Sequence, residues 1–224
     1  MRDAGLDFYC YERRLWDDGH VVVGVDEVGR GALAGPLTVG AVVLASERPV
    51  PDFLDDSKRL TSRRRELLVP RIRRWCDDHA LGSASASEID HYGLMDALGL
   101  ATRRALAGLT LHPTHILLDG SVDFLAHTTS LDRSSSPQAW RPAAVPVTTI
   151  VGGDATSALI AAASVLAKVH RDQIMTDLAP RFAAYGWERN KGYGTSQHLE
   201  ALRECGPSLE HRTSWRLPIK IAEG

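Results

Sequence analysis

Four carboxylates stand at or beside the ends of predicted strands, at three separate places along the chain. They are Asp26, Glu27, Asp119 and Asp154. Each follows a short apolar, β-branched run of the kind that forms a buried strand. Taken singly, an acid in such a place is typical of an ordinary strand end or of an Asp-Gly turn. Because the pattern recurs at three strand ends, it predicts one shared acidic site.

Clustered carboxylates repel one another unless a positive charge lies between them, and their oxygens are the ligands that Mg²⁺ or Mn²⁺ prefers. A pair of such ions about 3.5–4 Å apart activates water and stabilises the departing oxygen of a phosphodiester. The sequence has no G-x-S-x-G serine elbow and no phosphate-binding P-loop. The pattern therefore favours metal-dependent phosphodiester hydrolysis over serine hydrolase, kinase or ATPase chemistry.

A Gly29-Arg30-Gly31 turn directly follows the first pair of acids. Glycines there allow a positive φ or a close approach to a ligand, and the planar cation of Arg30 suits phosphate. A basic run over residues 58–74 is typical either of phosphate contact or of a solvated helix face. Residues 190–195 and 211–216 mix glycine, aromatic and cationic side chains, as expected of a surface that meets a flat anion.

The elements that must position these residues form an α/β pattern. The sequence predicts strands at Val21–Val25, Leu37–Leu44, Gly82–Ser87, His115–Asp119 and Val145–Val151. We expect the second strand to be antiparallel to the first. If the three acid-bearing strands are parallel neighbours, their ends converge in one crevice.

Helices are predicted from apolar spacing and capping residues. They cover residues 6–18, a basic segment from about Arg63, Tyr92–Leu109, Ser157–Met175 and Gln197–Glu204. In the basic helix we expect Leu67, Leu68, Ile72 and Trp75 on the buried side, with Pro70 tilting or ending its first segment. The Ser/Pro-rich residues 127–144 are predicted to form a long surface loop.

Composition limits the class of protein. The 224 residues are 44% hydrophobic and carry a formal net charge of −2, so any nucleic-acid surface must be local. No apolar run is long enough for a membrane span, and the N-terminus lacks the core of a signal peptide. Three widely spaced cysteines indicate a reducing, cytoplasmic setting without structural zinc. Nothing in the sequence requires more than a monomer.

Several strings together resemble the ribonuclease HII family. They are Gly24-Val25-Asp26-Glu27-Val28-Gly29-Arg30-Gly31 with Ala34-Gly35-Pro36, Asp56-Ser57-Lys58, Glu88-Ile89-Asp90, Leu118-Asp119-Gly120, residues 160–169, Gly192-Tyr193-Gly194-Thr195 and His211-Arg212. They occur in the family's order over residues 24–212. The resemblance implies a ribonuclease-H-like fold in a single domain over residues 1–224, a mixed central sheet flanked by helices, with a small helical C-terminal part from about residue 180.

The resemblance also implies an activity. Members of the family cut the RNA strand of RNA–DNA hybrids and incise 5′ of a lone ribonucleotide in duplex DNA, leaving 3′-hydroxyl and 5′-phosphate ends. Asp26, Glu27, Asp119 and Asp154 would be the catalytic acids that bind Mn²⁺ or Mg²⁺. Substrate contacts would come from Gly29, Arg30, Gly31, Ser57, Lys58, Ser164, Lys168, Tyr193 and Arg212, with the Gly-Arg-Gly turn sensing the 2′-hydroxyl and Tyr193 stacking on the next sugar.

The chain departs from the family pattern at Gly152 and Thr156, where lysines are frequent, and at Gly93, where the family has asparagine. Two alternatives compete with the ribonuclease. One is another metal-dependent nuclease or strand transferase of the same fold, and the other is a non-catalytic nucleic-acid-binding module. Gly-Arg-Gly followed by Gly-Tyr-Gly-Thr argues against the first, and the presence of all four acids argues against the second.

Overall fold

The computed structural model describes residues 7–55, 57–126 and 145–218. Five strands form its central sheet: β1 (Val22–Val28), β2 (Leu37–Leu44), β3 (Asp78–Ala84), β4 (His115–Asp119) and β5 (Val147–Ile150). Their order across the sheet is β3-β2-β1-β4-β5. β1, β4 and β5 are parallel, whereas β2 is antiparallel to both of its neighbours. The predicted mixed sheet is therefore confirmed, including the parallel arrangement of the strands that precede the acids.

Helices cover both faces of this sheet. They are α1 (Glu12–Asp17), α2 (Ser62–Trp75), α3 (Ala86–Tyr92), α4 (Leu94–Ala107), α5 (Gly153–Thr156), α6 (Ala158–Leu178), α7 (Trp187–Asn190) and α8 (Ser196–Cys205), with 3₁₀ turns at Ser57–Arg59 and Ala179–Tyr185. One apolar cluster lies between the sheet and α6, and a second lies between the sheet and α4. A third, smaller cluster packs the C-terminal helices onto the end of α6. Within the described ranges, no helix has the length and apolarity to cross a membrane.

The central helix α6 approaches the sheet unusually closely. Its buried face is rich in alanine, including Ala161, Ala162 and Ala163. At Gly24 of β1, an added Cβ would lie 2.4 Å from the backbone carbon of Leu159. Small residues on both sides therefore let the helix backbone lie directly against the strand that carries the first two acids, which fixes their distance from α6.

Several predicted boundaries were wrong. The first helix is only α1, because residues 8–10 instead lie against the start of α6, with a bridge between Tyr9 and Ser157. The edge strand begins at Asp78 rather than Gly82, since it pairs along β2 as far as Val43. The helix predicted over Tyr92–Leu109 corresponds to α4, which begins two residues later at Leu94, and a separate helix that was not predicted, α3, precedes it, with Gly93 between the two.

The basic helix α2 also differs from its prediction. Its N-cap Thr61 accepts a hydrogen bond from Arg64 N, as the sequence indicated, and the helix continues through Pro70 to Trp75. Leu67 is 60% exposed rather than buried. Arg65 is buried instead, and its Nη1 donates to the carbonyls of Ser57 (2.9 Å) and Leu60 (2.6 Å). The predicted loop over 127–144 lies outside the described residues.

Candidate active site

Three of the predicted acids converge at one edge of the sheet. Asp26 lies on β1, Asp119 is the last residue of β4, and Asp154 lies on the short helix α5 that follows β5. Each offers a carboxylate oxygen, and these oxygens all lie within 4.8 Å of one another. The convergence follows from the parallel pairing of β1, β4 and β5, whose carboxyl ends meet at the same edge.

The structure corrects the expectation that β1 ends at the acids. The strand continues to Val28 because β2 pairs with it that far, at Thr38. The parallel pairing with β4 stops earlier, at Val25 and Leu118. Asp26 thus lies just beyond the last residue of β1 that pairs with β4. Its side chain reaches Asp119, and its backbone is still paired with β2.

Burial and mutual repulsion dominate the electrostatics of this cluster. Burial raises the pKa of Asp26 well above its usual value, and the charges of Glu27 and Asp119 raise it further. Burial and the charge of Asp154 likewise raise the pKa of Asp119, although Gly153 N donates to its Oδ1 at 2.7 Å and opposes the shift. A group of acids in this state gains stability from any cation placed among them.

Glu27 lies beside the other three acids rather than among them. Neighbouring residues of a strand point to opposite faces, and Glu27 follows Asp26 directly. Its Oε1 lies 3.6 Å from Arg30 Nη1, and its buried Oε2 has no hydrogen-bond partner in the described part of the chain. Burial raises the pKa of Glu27, and the nearby Arg30 lowers it.

These observations fit a divalent metal site. The donors are carboxylate oxygens, which suit hard cations such as Mg²⁺ or Mn²⁺. A bound cation would offset the repulsion that, with burial, raises the pKa values of Asp26 and Asp119, and it would give a partner to the Glu27 oxygen that has none among the described residues. Asp26, Asp119 and Asp154 would hold the ion, and Glu27 offers a further oxygen next to them.

A cleft of about 390 Å³ opens over these acids. Its walls include nearly all of the predicted site residues: Asp26, Glu27, Gly29, Arg30, Gly31, Ser57, Lys58, Asp119, Ser164, Lys168 and Tyr193. Residues from five distant parts of the sequence thus meet around one space. Asp154 and Arg212 do not line it, since both side chains are buried behind it.

Lys58 supplies a cation next to Asp154, although the lysines that are frequent in the family at the positions of Gly152 and Thr156 are missing. Its Nζ lies 2.7 Å from Asp154 Oδ2, and its side chain is 75% exposed at the cleft. Next to it, the buried Ser57 and Ser164 share a hydrogen bond of 2.8 Å between their hydroxyls. The Ser164 hydroxyl also acts on Asp26, where its hydrogen bond favours the charged form and lowers the pKa. These contacts tie the residue 57–59 turn to both α6 and the acids.

Two buried arginines hold the loops that border the cleft. Arg212 is fully buried, and its guanidinium donates to the carbonyls of Gly29 (2.7 Å), Arg30 (3.1 Å) and Gly35 (3.1 Å). Burial, together with the charge of Arg171, lowers the pKa of Arg212 to about 9. In this structure Arg212 therefore supports the Gly-Arg-Gly turn from behind, and its guanidinium faces backbone rather than the cleft.

Arg171 of α6 is the second buried arginine. It donates to the carbonyls of Pro36 (2.7 Å), Ala34 (3.0 Å) and Lys191 (2.9 Å), and its guanidinium lies 5.3 Å from the centre of the Tyr193 ring. Arg171 was not among the residues that the sequence predicted for the site. Its spacing of seven residues from Ser164 is the one signal that it faces the same region.

The turn over Gly29 is shaped around this arginine. Gly29 has φ of +88°, and a Cβ at this position would lie 2.1 Å from Arg171 Nε. Gly31 differs, because a Cβ there would point into open space. The first glycine is thus required by the protein itself, whereas the second leaves room on the cleft side for a ligand.

Comparison with known proteins adds to this geometry. The family model described as Ribonuclease HII matches residues 23–217. A ribonuclease HII from Jannaschia sp. (strain CCS1) is 45% identical over 220 residues, covering 98% of this chain and 100% of that protein. One from Paracoccus denitrificans (strain Pd 1222) is 43% identical and covers 96% of this chain and 94% of its own length.

A solved structure shares the fold. The crystal structure of ribonuclease H2 from Pyrococcus horikoshii OT3 matches with a TM-score of 0.68 at 27% sequence identity. The match covers 88% of this chain and 95% of the other. The mixed sheet and its flanking helices are therefore found in a protein of the same enzyme class.

Proposed function

This chain belongs to the ribonuclease HII family, a metal-dependent class that hydrolyses the RNA strand of RNA–DNA hybrids, and we propose that it also incises 5′ of single ribonucleotides in duplex DNA. The products would carry 3′-hydroxyl and 5′-phosphate ends. The observation that carries the proposal is the meeting of Asp26, Asp119 and Asp154 beneath a cleft that the Gly-Arg-Gly turn and Tyr193 border. Such an enzyme would remove single ribonucleotides from DNA, and it would also remove the RNA primers that replication leaves behind.

For the chemical step we propose a two-metal site that uses Mg²⁺ or Mn²⁺. Bound there, the ions would supply Lewis-acid activation of water and neutralise charge that develops on the phosphate. Asp26, Asp119 and Asp154 would hold the ions, and Glu27 would contribute the oxygen that has no hydrogen-bond partner among the described residues. Because all of these residues lie on or next to sheet strands, they need no rearrangement to bind.

Recognition of the ribose would fall to the backbone around Gly29, Arg30 and Gly31. The open space at Gly31 allows a sugar to come close enough for main-chain groups to reach its 2′-hydroxyl. The side chain of Arg30 is 54% exposed and is available to a phosphate. Tyr193, which also lines the cleft, would stack on the sugar of the following deoxynucleotide.

Cations around the cleft would hold the substrate backbone. Lys58 lies at the cleft itself, as does Lys168, whose Nζ is 5.7 Å from the centre of the Tyr193 ring. On α2 the side chains of Arg63, Arg64, Arg71, Arg73 and Arg74 are exposed and offer further positive charge. Since the chain as a whole has a net charge of −2, binding would depend on these local contacts and weaken steeply with salt.

The test uses a labelled DNA duplex with one ribonucleotide, an RNA–DNA hybrid and an all-DNA duplex, each with Mg²⁺, Mn²⁺ or EDTA. We expect metal-dependent incision on the 5′ side of the ribonucleotide and metal-dependent cleavage of the RNA strand in the hybrid. The all-DNA duplex should not be cut. An Asp119→Asn variant that remains folded should cut none of them. Equal cutting of the single-ribonucleotide duplex and the all-DNA duplex would refute recognition of the ribose. Incision of the RNA–DNA hybrid alone would limit the activity to continuous RNA.

A further inference from the structure

Glu12, the first residue of α1, is a fully buried carboxylate that packs against the N-terminus of α6. Its Oε1 accepts hydrogen bonds from Ser157 Oγ at 2.5 Å and from Leu159 N at 3.3 Å. Its Oε2 is buried and has no hydrogen-bond partner among the residues described. Burying a charged group in this way is costly, and an apolar residue of similar size would often be more stabilising there. The residue therefore calls for a reason beyond stability.

The contact joins the N-terminal segment to the junction between α5 and α6. Tyr9 forms a bridge with Ser157, and Ala158 N donates to Phe8 O at 2.9 Å. Together with Glu12, residues 8–12 thus enclose Ser157 from one side. This segment precedes residue 23, where the match to the family model begins.

The same junction determines where Asp154 lies. Helix α5 has only four residues, so its own hydrogen bonds hold it weakly. At its start, Gly153 N donates to Asp119 Oδ1 at 2.7 Å. At its end, Ser157 N donates to Gly153 O at 2.8 Å, and the backbone turns through an extended conformation at Ser157 before α6 begins. The position of Asp154 is fixed from both sides of this short helix.

We propose that Glu12 is a positioning residue for the metal site. By fixing Ser157, Glu12 holds Asp154 in place next to Asp26 and Asp119. The carboxylate suits this task because it accepts both from the Ser157 hydroxyl and from the free backbone N–H groups at the N-terminus of α6. Ser157 in turn accepts from Ile160 N at 3.2 Å, so one chain of hydrogen bonds connects α1, α5 and α6. The proposal rests on the metal-dependent function above.

The test compares wild type with Glu12→Gln, which keeps the shape and removes the charge, and with Ser157→Ala, which removes the hydroxyl. Asp17→Asn is the matched control, because it removes the same charge from an exposed position of the same helix. Calorimetric titration with Mn²⁺ gives the metal affinity without substrate. Cleavage of the single-ribonucleotide duplex over a range of Mn²⁺ concentrations gives the affinity in the working enzyme.

We expect Glu12→Gln and Ser157→Ala each to weaken Mn²⁺ binding about 10-fold, the scale found when supporting contacts of metal ligands are removed. The double variant should lose little more than either single variant, because Glu12→Gln weakens and Ser157→Ala removes the same contact. Asp17→Asn should match wild type. If Glu12→Gln fails to fold, an unchanged Mn²⁺ affinity in Ser157→Ala would still contradict the proposal, because Glu12 is proposed to act through Ser157.

Two outcomes would contradict the inference. A variant that lowers thermal stability but leaves the Mn²⁺ titration unchanged would show that Glu12 is purely structural. Independent, additive losses in the double variant would show that Glu12 does not act through Ser157. Failure of the proposed function is distinguishable from both, because wild type itself would then neither bind Mn²⁺ nor cut the duplex.

Discussion

Replacing Arg171 with lysine tests how the two loops beside the cleft are held. The guanidinium serves three main-chain carbonyls, two in the loop after Gly29 (Ala34 and Pro36) and one before Tyr193 (Lys191). Its fork reaches all three at once, whereas the single ammonium of lysine cannot follow that geometry. We therefore expect Arg171→Lys to separate the loops that border the ribose and the next sugar.

The magnitude follows from the carbonyls that lose a donor. If lysine retains one contact, two buried carbonyls are left unpaired, at about 1–3 kcal/mol each. The free energy of unfolding should thus fall by about 2–6 kcal/mol, which a domain with about 5–15 kcal/mol of stability survives in most cases. Because Arg171 also lies against the Tyr193 ring, the KM for the single-ribonucleotide duplex should rise more than kcat falls.

Urea denaturation followed by tryptophan fluorescence measures the free energy of unfolding, and steady-state cleavage of the single-ribonucleotide duplex measures KM and kcat. Arg203→Lys in α8 is the matched control, since that side chain is exposed and the same substitution there should change neither quantity. An Arg171→Lys protein with the urea midpoint of wild type would refute the argument from buried carbonyls. A variant that is destabilised but has an unchanged KM would refute the link to the substrate loops.

Three further predictions concern stability and binding. Burial, together with His198, lowers the pKa of His211 from 6.5 to about 4, so the unfolded chain binds more protons between these values. The free energy of unfolding should therefore fall by up to about 3 kcal/mol as the pH drops through this window. Urea denaturation at several values between pH 7 and pH 4 measures this change. In the His211→Gln variant, the free energy of unfolding should depend less on pH. Gly24→Ala should destabilise the fold by about 1–3 kcal/mol in thermal unfolding and slow cleavage, because the new Cβ would lie 2.4 Å from the backbone of Leu159. Tyr193→Ala should weaken substrate binding by about 1–3 kcal/mol in fluorescence anisotropy, whereas Tyr193→Phe, which keeps the ring, should bind nearly as wild type does.

The sequence was sufficient for those parts of the fold in which local pattern and tertiary environment agree. β2 and β4 have the predicted bounds because continuous apolar runs are buried on both faces of the sheet. The antiparallel pairing around the Gly-Arg-Gly turn also followed from these runs. The parallel order of the acid-bearing strands was only a condition for their acids to converge, and the structure meets it. The predicted helix over residues 6–18 was mostly wrong, because tertiary contacts of Tyr9 and Phe8 with the start of α6 override local spacing.

The basic helix shows why side-chain burial was harder to predict. Leu67 and Arg65 exchange their expected places because two backbone carbonyls near Ser57 accept from Arg65, and no spacing rule reveals those partners. The same holds for Arg171 and Glu12, whose partners are main-chain or hydroxyl groups far away in the sequence. Polar residues that face backbone carry no sequence signal beyond a helix stripe.

The claim that Asp26, Asp119 and Asp154 form a divalent metal site can be tested by the anomalous difference map of a crystal soaked in Mn²⁺. We expect a peak within about 2.0–2.5 Å of oxygens from Asp26, Asp119 and Asp154 that is absent from Asp119→Asn crystals. A second peak beside Glu27 would support the two-metal proposal. Crystals that bind Mn²⁺ only elsewhere, or not at all, would contradict the claim.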